Sequence, residues 1–258
     1  VLDLEDAVAP EAKPAAREAV AAWLRARPPG AANAVVRIND PSTPWFEDDI
    51  AMLAAAGATA AMWPKAEAAE PLARCHAALP ALALLPLIES ARGVLAVEAV
   101  AAAPGVQRLV FGTVDFALDL DLAGPLATTL GLDHAAARIA LASRAFGLAA
   151  PVAGVTVALD DPAALQADLD RARAHGFGAK LCIHPRQVAA VHAAFAPDAA
   201  ELAFARRVLA LVDGTPGGMA GAVVDGLEVV QVDHHHRGRQ RARQRLHHVR
   251  EALREHLA

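Results

Sequence analysis

The sequence has 258 residues, of which 55% are hydrophobic, 21% are charged and 4% are aromatic. This composition can build a large buried core, so it excludes a globally disordered chain. The last 25 residues contain seven arginines and two glutamates and carry +5, so the first 233 residues carry −10. An acidic body with few aromatic side chains and no tyrosine is not typical of a nucleic-acid-binding protein.

Membrane proteins and disulfide-rich secreted proteins are also excluded. No uninterrupted apolar run reaches the roughly 18 residues that a membrane span needs, and the sequence shows no signal peptide. Cys75 and Cys182 lie far apart and form no C-x-x-C motif, so neither a disulfide framework nor a structural zinc site is expected. The sequence therefore predicts a cytoplasmic protein without a membrane or nucleic-acid partner.

Short apolar runs alternate with helical patterns along the chain, as in proteins with a mostly parallel sheet. The predicted strands are Val1–Leu4, Ala34–Ile38, Thr59–Trp63, Leu82–Ile88, Arg108–Phe111, Gly154–Ala158 and Ala179–Ile183. The predicted helices are Glu11–Arg27, Glu47–Ala56, Ala66–Leu79, Ser90–Ala103, Asp133–Phe146, Asp161–His175, with Asp160 as its N-cap, and Pro197–Val212.

Seven strands are one fewer than a (β/α)8 barrel contains. The chain opens on a strand-like run without a methionine, so we expect the remaining strand to lie upstream of it. The predicted fold class is α/β, a TIM-type (β/α)8 barrel lacking its first strand, with a C-terminal helical extension. Residues 1–226 would form the catalytic barrel and residues 227–258 a basic tail. A doubly wound sheet is the weaker alternative, because no G-x-G-x-x-G follows a strand.

Polar side chains follow nearly every predicted strand, at the end where barrels carry their active sites. A strand that exits into solvent explains any one of them, but six groups would converge on a single mouth. The groups are Glu5-Asp6, Arg37-Asn39-Asp40, Pro64-Lys65, Glu89-Ser90, Gly112-Thr113-Asp115 and His184-Pro185.

Glu89 and Asp115 are the candidate metal ligands among these groups. They follow neighbouring strands, which lie about 4.8 Å apart in a parallel sheet, so both carboxylates can reach one ion. Two carboxylates completed by waters and substrate oxygens suit Mg²⁺. The alternative interpretation is that Glu89 caps the helix that begins at Ser90.

Arg37 is the candidate substrate-binding cation. An arginine at the end of an apolar strand can bind a carboxylate or an enolate through two parallel hydrogen bonds. An ion pair with Glu5 or Asp6 across the mouth is the alternative, and the two interpretations are compatible.

Six motifs along residues 1 to 226 together resemble the HpcH/HpaI aldolase and citrate lyase beta-subunit family, and its stand-alone CoA-ester lyases most closely. The motifs are Val1-Leu-Asp-Leu-Glu-Asp-Ala-Val8, Val36-Arg-Ile-Asn39, Pro64-Lys-Ala-Glu67, Leu87-Ile-Glu-Ser-Ala-Arg-Gly93, Phe111-Gly-Thr-Val-Asp115 and Lys180-Leu-Cys-Ile-His-Pro-Arg-Gln187. The resemblance implies a modified TIM barrel that assembles as a homo-oligomer, a trimer or hexamer. It also implies Mg²⁺-dependent cleavage or formation of a carbon–carbon bond in a 3-hydroxy acyl-CoA thioester, such as malyl-, citramalyl- or citryl-CoA, with an oxo acid as the other product.

The resemblance also implies roles for individual residues. Glu89 and Asp115 match the Mg²⁺ ligands, and Glu5 and Asp6 match catalytic acidic residues around the metal's water shell. Arg37 matches the arginine that holds the oxo-acid portion of the substrate, and Glu89 is expected to bind substrate as well as the metal. Two other functions stay open: a Mg²⁺-dependent aldolase acting on a free hydroxy-oxo acid, and a catalytically inactive family member acting as a subunit.

The chain departs from the family pattern at three places. It lacks the initial Arg-Ser-x-Leu-Phe-x-Pro-like strand, and Ala153 stands where many relatives carry an aspartate. Gly226-Leu-Glu-Val-Val230 stands where the family has its C-terminal motif, and the match ends there; a tail with His234-His235-His236 and the alternating arginines of 237–245 follows. We expect this tail to be a solvated basic segment and not a metal site.

Overall fold

A computed structural model describes residues 1–28, 34–123, 130–197 and 199–213. Within these ranges the chain forms seven strands and ten α-helices in alternation. The strands are β1 (Leu2–Asp3), β2 (Val36–Arg37), β3 (Ala60–Trp63), β4 (Ala83–Ile88), β5 (Val110–Phe111), β6 (Val152–Ala153) and β7 (Ala179–Lys180). The helices are α1 (Lys13–Ala26), α2 (Phe46–Ala56), α3 (Ala69–Ala78), α4 (Ala91–Leu95), α5 (Val97–Ala102), α6 (Thr113–Asp119), α7 (Leu130–Ala145), α8 (Pro162–Ala174), α9 (Val188–Phe195) and α10 (Ala199–Asp213).

The strands form one parallel sheet in the order β1 to β7, each strand pairing with the next one along the chain. A parallel sheet whose strand order never reverses is the arrangement of a TIM-type barrel, not of a doubly wound sheet. The predicted fold class is therefore confirmed, with seven of the eight barrel strands present in the described ranges.

The two faces of the sheet bury different apolar clusters. The outer face, with Val36, Ala61, Leu84 and Leu109 fully buried, packs beneath the helices. The inner face holds a smaller cluster of one side chain from each of the strands β3 to β6: Met62, Leu87, Val110 and Val152. Strands buried on both faces explain why the sequence shows continuous apolar runs and no polar alternation.

Several predicted boundaries are wrong. The sixth strand is Val152–Ala153, because the backbone leaves the ladder at Gly154 and the predicted strand Gly154–Ala158 lies in the following loop. The predicted helix Ser90–Ala103 is two helices, α4 and α5, which meet at Ala96. The N-cap of α8 is Asp161, whose carboxylate accepts hydrogen bonds from the N–H groups of Ala163 and Ala164. Helices α6 and α9 were not predicted.

Contacts divide the chain into one unit of residues 1–195, which contains the sheet, and one of residues 196–258. The described part of the second unit is mainly α10. The predicted domain boundary after residue 226 and the tail residues His234–His236 lie outside the described residues, so both remain predictions. No helix of the described part combines the length and the hydropathy that crossing a bilayer requires.

Candidate active site

The alternation of side chains along the strands brings the predicted site residues to one face. Leu85 and Leu87 of β4 point to the inner face, so the period of two places Glu89 there as well. In β2, Val35 packs against the inner cluster, so the same period of two places Arg37 on the inner face. In β1, Leu2 and Leu4 pack in the outer cluster, which leaves Asp3 and Glu5 on the inner face. These inner positions at the carboxyl ends of the strands form the mouth of the barrel.

Arg37 is held by three carboxylates, one from the last residue of β1 and two from the segment that follows it. Its Nε donates to Oδ1 of Asp3 at 2.8 Å, and its Nη2 donates to Oδ2 of the same residue. Its Nη1 lies 2.9 Å from Oε2 of Glu5 and 3.1 Å from Oδ2 of Asp6. Burial alone would lower the pKa of Arg37, but the hydrogen bonds from Arg37 to Asp3 and the neighbouring carboxylates raise it. The guanidinium is therefore fixed in place, and the predicted ion pairs with Glu5 and Asp6 are confirmed.

Glu5 is the carboxyl group of this cluster whose contacts do not fully offset the cost of burying it. Its Oε2 is buried and, although close to Arg37, has no partner in hydrogen-bond geometry among the described residues. The pKa of Glu5 is raised to about 7, mainly by burial; the charges of Asp6 and Asp3 also raise it, and those of Arg37 and Lys65 oppose the increase. Asp6 is 69% exposed. Glu5 can therefore exchange a proton near neutral pH, whereas Asp6 faces solvent.

Glu89 lies at the carboxyl end of β4 and is 4% exposed. Its Oε1 accepts a hydrogen bond from the backbone N–H of Lys65 at 2.8 Å. Burial raises its pKa to about 8, and the nearby charges of Glu5 and Asp115 act in the same direction. The N-cap of α4 is Ser90, whose Oγ accepts from the N–H of Gly93 at 3.0 Å. The alternative that Glu89 caps this helix is therefore wrong.

Asp115 does not end a strand as expected. It lies in the first turn of α6, which starts directly after Gly112, and its side chain is exposed. The helix went unpredicted because only one residue separates it from β5 and because it begins with the β-branched pair Thr113-Val114, which favours strands. Asp115 is still close enough to Glu89 for its charge to raise the pKa of Glu89. The structure thus brings Glu5, Asp6, Arg37, Glu89 and Asp115 to one mouth.

The remaining strand-end residues have mixed roles. Asn39 is 1% exposed and donates to the buried carboxylate of Asp49, which also binds Arg17, so it is part of the framework. His184 caps the turn that precedes α9, as its Nδ1 accepts from the N–H of Arg186, in agreement with a structural role. Lys65 is exposed and has a φ of 45°, a left-handed conformation that costs a non-glycine residue about 1 kcal/mol. That conformation accompanies the hydrogen bond from the Lys65 N–H to Glu89.

Asp3 is a residue of the mouth that the sequence patterns did not predict. It provides both hydrogen bonds that fix the fork of Arg37, and it also accepts from the N–H groups of Glu5 and Ala7. Burial raises its pKa, but its hydrogen bonds and the charge of Arg37 outweigh burial and lower the pKa overall. The alternation of side chains along a strand could have revealed Asp3, since it puts Asp3 on the same face as Glu5 and Asp6 on the other face.

The residues present fit a bound divalent cation. The pKa values of Glu5 and Glu89 respond to the charges of neighbouring groups. Three of these groups are carboxyl groups and two are cations: Asp3, Asp6 and Asp115 against Arg37 and Lys65. An excess of carboxyl groups around the buried Glu89, with an oxygen of Glu5 left without a hydrogen bond, is an environment that a cation relieves. No cluster of three or more metal-ligating side chains occurs within the described ranges. Two protein carboxylates completed by waters and substrate oxygens are the coordination typical of Mg²⁺ and not of Zn²⁺.

The chain belongs to the HpcH/HpaI aldolase/citrate lyase family, whose model matches residues 1–185. It is similar to the (3S)-malyl-CoA thioesterase of Cereibacter sphaeroides, at 35% identity over 88% of this chain and 79% of that protein. It is also similar to the citrate lyase subunit beta-like protein of Deinococcus radiodurans, at 39% identity over 81% of this chain and 75% of that protein. The crystal structure of CitE from Mycobacterium tuberculosis with magnesium, acetoacetate and coenzyme A superposes with a TM-score of 0.68 at 31% identity, covering 98% of this chain and 87% of that one.

Gly112→Ala is expected to weaken Mg²⁺ binding although Gly112 contacts no ligand itself. A Cβ at this position would lie 2.6 Å from Cβ and 2.8 Å from Oε2 of Glu89, so the carboxylate would have to move. The φ of −85° suits any residue, so the effect is steric and not one of backbone strain. Calorimetric titration should show about a tenfold weaker Kd for Mg²⁺. Gly57→Ala, where no atom lies within 4 Å of the added Cβ but the φ of 68° strains an alanine, is the control: it should lower the stability without changing the Kd. An unchanged Kd in Gly112→Ala would mean that Glu89 is not a ligand.

Mg²⁺ is expected to stabilise the protein more at higher pH. In the metal-free protein Glu5 and Glu89 have pKa values of about 7 and about 8, against 4.5 in an exposed glutamate. The folded state therefore holds more protons than the unfolded state between about pH 5 and pH 8, and its stability falls as the pH rises through that window. Mg²⁺ needs the ionised carboxylates, so the gain in Tm on adding it should grow over the same window. Thermal unfolding in EDTA and in Mg²⁺ across this pH range checks this, and a pH-independent gain would contradict it.

Proposed function

We propose that this chain is a Mg²⁺-dependent CoA-ester lyase. It would cleave a carbon–carbon bond in a 3-hydroxy acyl-CoA thioester, such as malyl-, citramalyl- or citryl-CoA, to give an oxo acid and an acyl-CoA, or form that bond in the reverse direction. The observation that carries the proposal is the mouth of the barrel, where the buried Glu89 lies near Asp115 and Glu5 lies against Arg37. The relatives named for malyl-CoA and citrate lyase chemistry support it.

Glu89 and Asp115 would hold the Mg²⁺ ion. The M. tuberculosis CitE structure is a complex with magnesium, acetoacetate and coenzyme A, which supports this assignment. When bound, the ion polarises the carbonyl that forms as the carbon–carbon bond breaks. The backbone N–H of Lys65 keeps the Glu89 carboxylate turned toward the mouth.

Arg37 would bind and neutralise the carboxylate of the oxo-acid portion. Asp3 holds Nε and Nη2, while Nη1 lies against Glu5 and pairs on its other side with the exposed Asp6. An exposed ion pair contributes little stability, so a substrate carboxylate can take the place of Asp6 on Nη1. An arginine fixed in advance needs little reorganisation on binding, which favours stabilisation of charge in the transition state.

Glu5 would act as the general base. Its pKa of about 7 suits proton exchange at neutral pH. In the cleavage direction it takes the proton from the 3-hydroxyl group, and the electron pair of that O–H bond becomes the new carbonyl of the oxo acid. The carbon–carbon bond breaks at the same time and leaves its electrons on the thioester as an enolate, whose carbon then takes up a proton to give the acyl-CoA, so that no net proton is gained or lost. Asp6, beside it at the mouth, would help to set the charge around the metal's water shell.

The assembly and the compartment are proposed from the family resemblance and the cysteines. We propose a homo-oligomer, a trimer or a hexamer, in the cytoplasm. The two cysteines are free, Cys75 buried and Cys182 exposed, which fits a reducing compartment.

Cleavage assays with a thioester and with the matching free acid test this function. Purified protein with Mg²⁺ should release an oxo acid from malyl-, citramalyl- or citryl-CoA and not from the free hydroxy acid. Release from a free hydroxy-oxo acid would instead indicate the aldolase alternative. A parallel assay for free CoA thiol separates carbon–carbon cleavage alone from cleavage followed by thioester hydrolysis. Mg²⁺ binding with no release from any substrate would favour the inactive subunit.

A further inference from the structure

Lys13 is a buried lysine that the proposed mechanism does not use. It is the first residue of α1 and is 6% exposed. A positive charge at a helix N-terminus is unfavourable to the helix dipole, and burial of an ammonium group costs several kcal/mol without compensation. No ion pair in the described part of the chain involves Lys13. Helix formation therefore does not explain its presence.

The ammonium group of Lys13 binds the backbone that carries the acidic side chains. Its Nζ donates hydrogen bonds of 2.8 Å to the carbonyl oxygen of Leu4 and 2.8 Å to that of Glu5. It also lies 5.0 Å from the ring centroid of Trp45, within the range of a cation–π interaction. These contacts compensate the buried charge without a carboxylate.

The two carbonyl groups lie where the chain leaves the sheet. The N–H of Leu4 makes the last hydrogen bond from this segment to β2, to the carbonyl oxygen of Arg37 at 2.8 Å. After Leu4 the backbone makes no further sheet hydrogen bonds to β2, so the position of Glu5 depends on other contacts. The Nζ of Lys13 links both carbonyls here from the first turn of α1.

We infer that Lys13 is a positioning residue that holds Glu5 against Arg37 and toward the metal site. The inference rests on the proposed function, in which Glu5 is the general base. Lys13 touches neither substrate nor metal and acts through the backbone of Leu4 and Glu5. A lysine fits this position because a single ammonium group can donate to two carbonyls and still lie over an aromatic ring.

A double-mutant cycle tests the coupling between Lys13 and Glu5. Lys13→Met keeps the apolar stem and removes the three donors, and it is combined with Glu5→Gln. We expect Lys13→Met to reduce kcat by about 30-fold with a change in KM of less than about threefold. In the Glu5→Gln background the same substitution should change kcat by less than about twofold, because the group it positions is already gone. Arg25→Met, on the exposed side of the same helix, is the matched control and should resemble the wild type.

The cycle is read a second time in the Kd for Mg²⁺, which does not require turnover. Because the charge of Glu5 acts on the metal ligand Glu89, Lys13→Met should weaken Mg²⁺ binding in the wild-type background and not in the Glu5→Gln background. Additive effects of Lys13→Met and Glu5→Gln in both readouts, or wild-type values in Lys13→Met, would overturn the inference. If Lys13→Met does not fold, Lys13→Gln, whose neutral amide is too short to bond both carbonyls as Nζ does, replaces it in the same cycle. A wild-type protein that binds Mg²⁺ but cleaves no substrate would refute the proposed function, while the cycle in Kd would still decide the role of Lys13. A wild-type protein that does neither would overturn both.

Discussion

Glu89→Gln is expected to abolish Mg²⁺ binding and to reduce the turnover of the preferred thioester by about 10³-fold. The neutral amide keeps the shape and the acceptor for the N–H of Lys65, so the loss reports the missing charge. A metal ion contributes several kcal/mol to the stabilisation of charge in the transition state, which corresponds to a factor of this size.

The same substitution should stabilise the metal-free protein above about pH 8. The Glu89 carboxyl group is buried, and its burial raises its pKa. Above that pKa the group is a buried charge with a single hydrogen bond, so its removal lowers the free energy of the folded state. Tm measured in EDTA should therefore be higher for Glu89→Gln than for the wild type at this pH. Glu70→Gln, an exposed i,i+4 partner of Arg74, is the control and should change neither property. Full Mg²⁺-dependent activity in Glu89→Gln would refute the metal assignment.

Arg37→Lys is expected to reduce kcat/KM by about 10³-fold despite the retained charge. Lysine cannot reproduce the fork that binds Asp3 through Nε and Nη2 while Nη1 faces Glu5 and Asp6. The free energy of unfolding should fall by about 2 kcal/mol, less than for a fully buried pair because Arg37 is 18% exposed.

A second substitution separates the structural part of this effect from the catalytic part. Asp3→Asn in the Arg37→Lys background removes a carboxylate that has lost its partner, so stability should recover in part while activity does not. Denaturant unfolding and steady-state kinetics of the two single variants and the double variant check this. Recovery of activity together with stability would show that Arg37 serves the fold and does not contact substrate.

The sheet was predictable because its strands are buried on both faces. Leu84 and Ile88 on the outer face and Leu87 on the inner face give β4 a continuous apolar run, and runs of this kind occur in the same order as the observed strands. The ends of the elements were less predictable. Val155 and Val157 look like strand residues, yet the loop that contains them has left the ladder at Gly154, where an added Cβ would lie 2.3 Å from Oγ1 of Thr113.

Most members of the site were predictable, and so were the ion pairs of Arg37 with Glu5 and Asp6, but Asp3 and Lys13 were not. Glu89 and Arg37 each follow an apolar strand, and that position alone marks them. Asp3 and Lys13 were not predicted because their roles depend on contacts with residues distant in sequence. Asp3 binds Arg37, 34 residues away, and Lys13 binds Leu4, nine residues away. A local pattern does not reveal that a lysine in the first turn of a helix will turn back to bind the strand before it.

The metal dependence of oxo-acid release tests the central claim most directly. Purified protein is supplied with malyl-, citramalyl- and citryl-CoA in turn, with Mg²⁺ or with EDTA, and glyoxylate, pyruvate and oxaloacetate are followed by a coupled assay. The arrangement of Glu89, Asp115, Arg37 and Glu5 predicts the release of one oxo acid that EDTA abolishes and that added Mg²⁺ restores. Release that persists undiminished in EDTA, or no release from a folded protein that binds Mg²⁺, would contradict this assignment.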